Sequence, residues 1–335
     1  MSHIFEGLQK SESLRSGSDS SAPTDAFELL RHIERRAASK WLTEVLAGPS
    51  SPLNGAERDT PFEMREGPLA ATPAETPSER ELSATNAAEG IFDQFQPLQI
   101  SAAPQNRLIC VTDNESPAAE AFRLLGVRLR GLRRRRPLRK VLITSTIPQE
   151  GKSMVSANLA CTLGLKAPER TLLIEGDLRR PSLTQMFGID SVPGLNEWLQ
   201  GERTLMNSIY HLEGAGIWIL PAGTYSSNPL ELLQSGRLPE LMDQLAEWFD
   251  WVIIDSPPIL PLADASVWMR FVDGVLLVTR QGTTEKRQLQ RGLEAIESKK
   301  LIGALLNSSK NSAHSDYYYY RRPAESAKND TSANT

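Results

Sequence analysis

Short, continuously apolar runs alternate with helical patterns along the chain after residue 106. Because these runs do not alternate with polar residues, they are typical of parallel strands that are covered on both faces. The predicted strands are 141–144, 171–174, 217–220, 251–254, 275–278 and 301–306. The predicted helices between them are 152–165, 230–248, 264–271 and 284–298. Ser116, followed by proline, predicts the start of a further helix before the first strand. The alternation predicts an α/β fold with a doubly wound, mainly parallel sheet.

The first 105 residues have a different composition, in which Ser, Pro, Ala, Glu and Thr dominate. Such segments bury too little apolar surface to offset the entropy of the chain. We expect residues 1–105 to be largely disordered, with short amphipathic helices where apolar residues recur at helical spacing, as in 26–46. That helix either rests on the main domain or docks to a partner. We therefore predict an α/β domain at 106–310 and a flexible, tyrosine-rich tail at 311–335.

The charge balance and the cysteine count exclude several classes of protein. Lys and Arg total 37 against 41 Asp and Glu, a formal net charge of −4, which argues against a nucleic-acid coat. The two cysteines, Cys110 and Cys161, are too few for a disulfide framework or a cysteine-based metal site. No apolar run reaches the roughly 20 residues that a membrane helix needs, and no secretory signal is recognisable. We expect a cytoplasmic protein that does not bind nucleic acid.

A phosphate-binding loop is predicted between the strand at 141–144 and the helix that follows it. Strand, tight loop and helix start form the geometry that points backbone N–H groups and the helix dipole at a phosphate. Lys152 would reach the β- and γ-phosphates, and Ser153 would place its hydroxyl on Mg²⁺. Thr146 replaces the first glycine of the pattern G-x-x-x-x-G-K-[ST], so the loop alone is weak evidence. The residues predicted to contact the nucleotide are Pro148, Gln149, Glu150, Gly151, Lys152, Ser153, Met154 and Asn307.

Acidic residues follow two of the predicted strands, at the edge where open α/β sheets bind ligands. Glu175 and Asp177 end one strand, and Asp255 ends another, as a Mg²⁺-orienting aspartate does. One acidic residue at a strand end is usually a loop or capping residue, but three of them after one Gly-Lys-Ser loop predict a nucleotide site. We expect ATP and Mg²⁺, with Ser153, Asp177 and Asp255 as the metal ligands. Asn307, which ends the last strand at this edge, either meets the adenine or is a simple turn residue.

Four sequence blocks in this order resemble the bacterial tyrosine autokinases of exopolysaccharide and capsule synthesis. The blocks are Pro148-x-Glu-Gly-Lys-Ser153, Leu172-Leu-Ile-x-x-Asp-Leu-Arg-Arg-Pro181, Asn228-Pro-Leu-Glu-Leu-Leu233 and Asp255-Ser-Pro-Pro-x-x-x-x-x-Asp264-Ala265. The first is similar to the family's Walker A motif and the second to its Walker A′ motif. The resemblance runs from about residue 115 to residue 320, and it includes the tyrosine-rich tail.

The resemblance implies an ATP- and Mg²⁺-dependent protein-tyrosine kinase domain at 106–310. Its implied catalytic residues are Lys152, Glu175 and Asp177. Glu175 stands where the family usually has an aspartate that helps the tyrosine hydroxyl to lose its proton. Gln149 stands where the family favours glycine, and a positive φ there would strain it.

The tail contains four of the six tyrosines of the chain, and these are the predicted phosphoacceptors: Tyr317, Tyr318, Tyr319 and Tyr320. No apolar neighbours at a strand or helix period surround them, so we expect exposed side chains. The ten residues from Asn307 to Tyr317 reach at most ~33 Å, enough for delivery within the molecule or to a neighbour. The resemblance implies delivery to a neighbour in a ring. Each phosphate adds ~−1.5 to −2 charges, so we expect phosphorylation of the tail to dissolve the oligomer.

The resemblance also implies partners. They are the membrane adaptor, or chain-length-determinant protein, of a polysaccharide export system, further copies of the chain, and a cognate tyrosine phosphatase. The adaptor would recruit the kinase to the inner face of the cell membrane. The basic run at 130–140 is either a solvated face or a surface for anionic lipid or an acidic partner segment.

The family's subunit-interface motif, E-x-x-R-x-x-R, is only partly present. Glu120 and Arg123 match it, but Gly126 replaces the last arginine. Arg128 or Arg130 on the same predicted helix could take the place of that arginine. The motif therefore leaves the oligomeric state open.

A rival interpretation comes from the chromosome-partitioning and septum-positioning ATPases, which share this fold. Their deviant loop carries a second lysine five residues before the Walker lysine, where this chain has Ile147. The alternative function is a non-kinase P-loop ATPase that acts as a nucleotide-dependent assembly or positioning switch. Phosphotyrosine on the tail distinguishes the two functions.

Overall fold

The computed structural model of the chain describes residues 90–102, 106–165 and 169–307, together with the backbone of residues 3–6. Most of the region predicted to be disordered, its amphipathic helix at 26–46 and the tyrosine-rich tail lie outside the described residues. Within the described ranges, no helix combines the length and the apolar character needed to cross a membrane.

One sheet organises the described part of the chain, where nine strands are present. They are β1 (His3–Glu6), β2 (Gln96–Gln99), β3 (Lys140–Ser145), β4 (Thr171–Glu175), β5 (Tyr210–Glu213), β6 (Ile217–Leu220), β7 (Trp251–Asp255), β8 (Gly274–Arg280) and β9 (Leu301–Asn307). Their order across the sheet is β1-β9-β8-β3-β7-β4-β6-β5-β2. The strands from β9 to β6 in this order pair in parallel, whereas β1 with β9 and β5 with β6 are antiparallel. The predicted doubly wound, mainly parallel sheet is confirmed.

Helices cover both faces of this sheet. They are α1 (Ile109–Thr112), α2 (Pro117–Arg133), α3 (Lys152–Gly164), α4 (Leu183–Phe187), α5 (Leu195–Gln200), α6 (Pro229–Leu233), α7 (Leu238–Trp248), α8 (Asp264–Met269) and α9 (Lys286–Glu294). Leu142 and Ile143 are neighbours in β3, yet they belong to two different hydrophobic clusters. Successive side chains of a strand point to opposite faces, so each cluster fills one side of the sheet. This double coverage explains why the strands are continuously apolar.

The helix predicted from Ser116 begins where expected. The Ser116 hydroxyl accepts a hydrogen bond from the backbone N–H of Ala119 at 3.2 Å, and Pro117 occupies the first turn. Both features satisfy or remove N–H groups that have no partner inside a helix. The prediction of one helix at 230–248 was wrong, because α6 and α7 are separate helices. Gly236 lies between them with a φ of +84°, a left-handed conformation that ends a helix.

The packed region begins earlier than the boundary predicted at residue 106. The rings of Phe92 and Phe95 lie 5.6 Å apart, and Phe92 contacts the rings of Trp218 and Phe249 at 4.9 and 5.5 Å. The guanidinium group of Arg170 lies 4.1 Å from the Phe92 ring centre. The following strand, β2, pairs in parallel with β5. The sequence pattern missed this segment because its aromatic residues are few and their partners lie far away in the sequence.

The basic run at 130–140 lies at the amino end of the sheet, just before β3. Arg130 pairs with Glu169 at 2.6 Å. Arg133 lies 3.7 Å from Glu169 and 3.6 Å from Asp250. Two further arginines of the run donate hydrogen bonds to backbone carbonyl oxygens. Much of this positive charge is therefore used inside the domain, rather than forming only a solvated face or a surface for lipid.

The predicted interface motif lies on α2. Glu120 and Arg123 pair with each other at 2.7 Å. Gly126 is buried, and a Cβ atom there would be in ordinary van der Waals contact with the side chains of Arg130 at 3.4 Å and Leu163 at 3.6 Å. The outer face of α2 exposes 49% of Leu124 and 58% of Val127. A subunit contact through α2 would therefore be more apolar than the motif suggests.

Candidate active site

The candidate site lies where the carboxyl ends of three neighbouring strands meet. β3 pairs with β7, and β7 pairs with β4, all in parallel, so the residues that follow them share one edge of the sheet. The loop after β3 leads into α3, which begins at Lys152. The three predicted carboxylates follow β4 and β7. The topology therefore brings the predicted loop and the predicted acidic residues to one place.

Two residues of the loop have left-handed backbone conformations. Gly151, before the first turn of α3, has a φ of +93°, and Gln149 has a φ of +67°. A Cβ atom on Gly151 would lie 2.2 Å from Nδ2 of Asn307, so only glycine fits there. The positive φ of Gln149 is the conformation that we expected to strain this residue, and it costs an L-residue roughly 1–2 kcal/mol.

The side chain of Glu150 is buried and holds the loop together. It accepts hydrogen bonds from the backbone N–H of Ile147 at 2.8 Å and from the hydroxyl of Thr284. Burial raises its pKa, an effect that the Thr284 hydrogen bond opposes. Asn307 donates a hydrogen bond to the backbone carbonyl of Glu150 at 2.9 Å. Asn307 is thus a loop-supporting residue, a role that neither sequence interpretation contained.

Lys152 lies between two carboxylates. Its Nζ is 2.8 Å from Oδ2 of Asp177 and 3.7 Å from Oδ1 of Asp255, and it donates a hydrogen bond to the Ser153 hydroxyl at 3.3 Å. Burial lowers the pKa of Lys152, but the charges of Asp255 and Asp177 outweigh burial and hold that pKa above its usual value. Lys152 is therefore positively charged near neutral pH.

Asp255 is fully buried beneath the loop. Its Oδ1 accepts a hydrogen bond from Ser156 at 3.3 Å, whereas no described residue donates to Oδ2. Burial raises the pKa of Asp255, and the nearby Lys152 charge lowers it. Two carboxylates around one lysine leave a surplus negative charge, which favours binding of a cation.

The donor set fits Mg²⁺. Asp177, Asp255 and Ser153 offer the oxygen ligands that this ion prefers. Across the described ranges, no group of three or more His, Cys, Asp or Glu side chains is arranged to hold a metal ion by itself. Mg²⁺ in nucleotide sites is usually bound by one or two carboxylates together with phosphate oxygens and water, so two carboxylates and a hydroxyl are sufficient.

Glu175 departs from its predicted role. It is fully buried, and its two oxygens accept hydrogen bonds from the backbone N–H groups of Leu183 at 2.5 Å and Ala222 at 3.1 Å. Burial raises its pKa, while these hydrogen bonds lower it. The longer glutamate thus ties β4 to α4 and to the end of β6. Its carboxylate does not line the pocket described next, so it is not placed to touch an acceptor hydroxyl.

A pocket of about 490 Å³ lies in front of the loop. Its lining residues are Pro148, Gln149, Lys152, Asp177, Arg179, Arg180, Ser182, Pro258, Pro261 and Leu262. The first four were predicted from the sequence. Met154 instead packs against one of the hydrophobic clusters, and the four predicted phosphoacceptors lie outside the described residues. Arg179 and Arg180 were missed, although they lie two and three residues after Asp177 in the same motif.

A second pocket of about 340 Å³ adjoins the first and shares Arg179 with it. Its remaining lining residues come from the segment 227–234, which includes α6. Arg179 forms a two-pronged pair with Asp264, which is buried at the start of α8. This pair fixes Arg179 as a wall between the two pockets.

Comparison with known proteins identifies tyrosine-protein kinases among the relatives and the solved structures. No protein-family model matches the chain. The tyrosine-protein kinase YwqD of Bacillus subtilis is 34% identical over 218 residues, which are 64% of this chain and 92% of YwqD. The solved structure of the chimerical protein CapA2B2 is 30% identical with a TM-score of 0.57, covering 65% of this chain and 97% of that chain. The solved kinase domain of the Escherichia coli tyrosine kinase ETK is 31% identical with a TM-score of 0.57, covering 62% of this chain and 82% of that chain.

Proposed function

The chain belongs to the bacterial tyrosine-protein kinases, and from that premise we propose that it phosphorylates its own tyrosine cluster at 317–320 with ATP. One observation carries the proposal: Lys152 and Asp177 pair in a pocket beside a phosphate-binding loop, with Asp255 buried beneath them. This arrangement supplies what phosphoryl transfer requires of a protein, namely positioning and stabilisation of charge. The alternative function of an assembly switch is not favoured, because the relatives are tyrosine kinases.

Nucleotide binding follows from the charges of the loop. The backbone N–H groups at the start of α3 and the dipole of this helix attract the phosphates. Lys152 exchanges its pairing with Asp177 for the β- and γ-phosphates, which releases the Asp177 carboxylate. Pro148 and Gln149 form one wall of the pocket, and Glu150 and Asn307 keep the loop in shape.

The residues proposed to hold Mg²⁺ are Ser153, Asp177 and Asp255. When bound, the ion neutralises the charge that develops on the phosphate oxygens. Support for this set comes from the unpaired oxygen of Asp255 and from the surplus negative charge around Lys152.

The transfer step forms a bond between the tyrosine oxygen and the γ-phosphorus while the bond to the bridging oxygen of ADP breaks. The phenol has a pKa of about 10, so its proton must leave as the new bond forms. We assign the acceptance of this proton to the Asp177 carboxylate, which lines the pocket, so that one of its oxygens would hold Mg²⁺ and the other would take the proton. Glu175 is then a positioning residue, which holds the strand end that carries Asp177.

The biological setting is proposed from the resemblance of the motifs. The kinase would regulate exopolysaccharide synthesis or export, and the cytoplasmic segment of a membrane adaptor would activate it at the inner face of the membrane. The catalytic domain would extend from about residue 90 to residue 310, followed by the tail at 311–335. Copies of the chain would phosphorylate one another in a ring, and a tyrosine phosphatase would reverse the modification.

The first experiment measures phosphotyrosine after the purified full chain is incubated with Mg-ATP, with and without the cytoplasmic segment of the adaptor. We expect a signal that is lost in Lys152→Met and in a variant whose residues 317–320 are phenylalanine. Lys299→Met is the matched control, because this lysine is exposed and pairs only weakly with Glu297 at 3.5 Å. ATP hydrolysis without phosphotyrosine, even with the adaptor segment, would contradict the proposal.

A further inference from the structure

Thr146 departs from the usual pattern of a phosphate-binding loop, and its surroundings show how the fold accommodates it. It stands at the place of the first glycine of that pattern, yet its side chain is fully buried. The helix α9 passes it at Gly292, where a Cβ atom would lie 2.6 Å from Cγ2 of Thr146. That separation is too short for two carbon atoms, so any residue larger than glycine at 292 would displace Thr146 or α9. The additional side chain in the loop therefore occupies space that Gly292 leaves open.

A second contact joins the same part of the chain to the other end of the loop. Thr284, which precedes α9, is buried, and its hydroxyl oxygen accepts a hydrogen bond from the backbone N–H of Arg280 at 3.1 Å. The hydroxyl proton of Thr284 is then free to be donated to the Glu150 carboxylate. The other oxygen of this carboxylate accepts the hydrogen bond from the Ile147 N–H. Thr284 therefore fixes the side chain that holds the loop together.

Both contacts come from residues 280–292, which we call the support segment. It begins at the end of β8, the strand that pairs with β3 beside the loop. Leu289 is buried in a hydrophobic cluster and attaches α9 to the sheet. The side chain of Arg280 also donates a hydrogen bond to the backbone carbonyl of Gln149 at 3.4 Å. The support segment therefore contacts the loop near its start and near its end.

From these contacts we propose that the support segment positions the phosphate-binding loop for ATP, with Thr284 and Gly292 as its positioning residues. The inference rests on the proposed kinase function, because it assigns residues to the binding of the nucleotide. The loop binds phosphate through backbone N–H groups, whose directions follow the shape of the backbone. A displacement of about 1 Å at such groups is enough to weaken the function of a site. Neither residue lines the pocket, and each acts through a residue of the loop, Glu150 or Thr146.

The competing interpretation is that both residues serve only the stability of the fold. A loss of stability lowers the fraction of folded enzyme and therefore the apparent kcat, but it leaves the KM for ATP unchanged. A displaced loop instead raises this KM and the dissociation constant of a nucleotide. The two interpretations are therefore separated by KM and by nucleotide binding.

The first test introduces Gly292→Ala and Thr146→Ala into the full chain, singly and together. It measures the KM for ATP in the phosphotyrosine assay and the dissociation constant of a fluorescent ADP analogue with Mg²⁺. We expect Gly292→Ala to raise both quantities about tenfold. The double change should return both to within about threefold of the unchanged chain, because alanine at 146 lacks the Cγ2 atom. Gly131→Ala in α2 is the matched control, since no described atom outside its own stretch of helix lies within 4 Å of the place of its Cβ.

The second test does not depend on the packing of α9. Thr284→Val keeps the shape of the side chain and removes its hydroxyl, whereas Thr284→Ser keeps the hydroxyl. We expect valine to raise the KM for ATP and the dissociation constant of the ADP analogue about tenfold, as expected when a buried acceptor loses its donor. Serine should leave both quantities within about threefold of those of the unchanged chain, because it still donates to Glu150.

Two results would overturn the inference while the proposed function survives. One is an unchanged KM for ATP in a folded Gly292→Ala or Thr284→Val protein, and the other is a double change no better than Gly292→Ala alone. If Gly292→Ala does not fold, the two Thr284 variants decide the question. If the unchanged chain binds the ADP analogue but forms no phosphotyrosine, the proposed function fails and the dissociation constants decide the inference. If the unchanged chain binds no nucleotide, both are wrong.

Discussion

The two ends of the parallel sheet both concentrate charge, but they balance it differently. At the amino end, Arg130 and Arg133 meet the carboxylates of Glu169 and Asp250, and these side chains are only partly buried. At the carboxyl end, one lysine faces two carboxylates in a more deeply buried place. The buried Asp255 has an oxygen to which no described residue donates, and Arg180 has no side-chain partner in the described part.

This difference separates structural charges from functional ones. Partly exposed pairs contribute roughly 0–1 kcal/mol each and are satisfied without a ligand. A buried charge that is not fully compensated lowers the stability of the fold by several kcal/mol. Such a charge is therefore expected at positions where binding or catalysis requires it. Mutation of the uncompensated charges at the carboxyl end is therefore expected to lower activity with little loss of stability. Mutation of the paired charges at the amino end is expected to lower stability only a little.

Asp255→Asn gives the sharpest separation and the largest expected effect. The change removes a buried negative charge whose pKa is raised by burial, so the free energy of unfolding should stay the same or increase near neutral pH. Kinase activity should fall about 10²–10³-fold, as expected when one charge-stabilising group is lost. Phosphotyrosine assays and urea unfolding measure the two quantities. Asp190→Asn, at an exposed position, is the control, and a destabilised Asp255→Asn protein would contradict the contrast between the two ends.

Glu175→Gln tests a carboxylate at the carboxyl end that we interpret as structural. Glutamine can accept only one of the two backbone hydrogen bonds, from Leu183 or Ala222, so the free energy of unfolding should fall by about 1–3 kcal/mol. The pKa of Glu175 is raised in the folded protein, so the unfolded chain releases this proton at a lower pH than the folded one. The stabilisation by Glu175 is therefore complete below its unfolded pKa of about 4.3 and decreases as the pH rises through the folded value.

Measurements of urea unfolding between pH 4 and pH 8 should show the difference between Glu175 and its glutamine variant shrinking with rising pH. Because Glu175 is a positioning residue, the folded variant should keep kcat within about threefold and show an unchanged pH profile. A loss of about 10²-fold or more without a change in stability would instead identify Glu175 as the proton acceptor.

The sequence predicts the sheet and the position of the site for clear physical reasons. Continuous apolar runs identify strands that are buried on both faces, and parallel strands bring the residues at their carboxyl ends together. The orientation of Glu175 cannot be predicted in this way, because it depends on N–H groups of Leu183 and Ala222 that the fold brings to it. The same limit applies to Arg179 and Arg180, whose different roles depend on the distant Asp264.

Glu169→Gln tests the amino end and should have a small effect. It weakens the pairs with Arg130 and Arg133, whose side chains are about a quarter exposed, so the free energy of unfolding should fall by about 0.5–1 kcal/mol. The loss should shrink at high salt, which screens such pairs. Kinase activity measured below the unfolding transition should not change. A large loss of activity would show that the amino end takes part in the reaction.

Gln149→Gly should have the smallest effect, and its sign is informative. Glycine removes a left-handed conformation that costs glutamine roughly 1–2 kcal/mol, but it adds about 0.5–1 kcal/mol of chain entropy to the unfolded state. The free energy of unfolding should therefore rise by about 0–1.5 kcal/mol. Gly151→Ala is the matched counterpart in the same loop, where the added Cβ would collide with the Asn307 amide and destabilise the loop. If Gln149→Gly increases the free energy of unfolding and also raises the KM for ATP, the strained conformation of Gln149 serves nucleotide binding at the carboxyl end. Relieving the strain then stabilises the fold and weakens ATP binding.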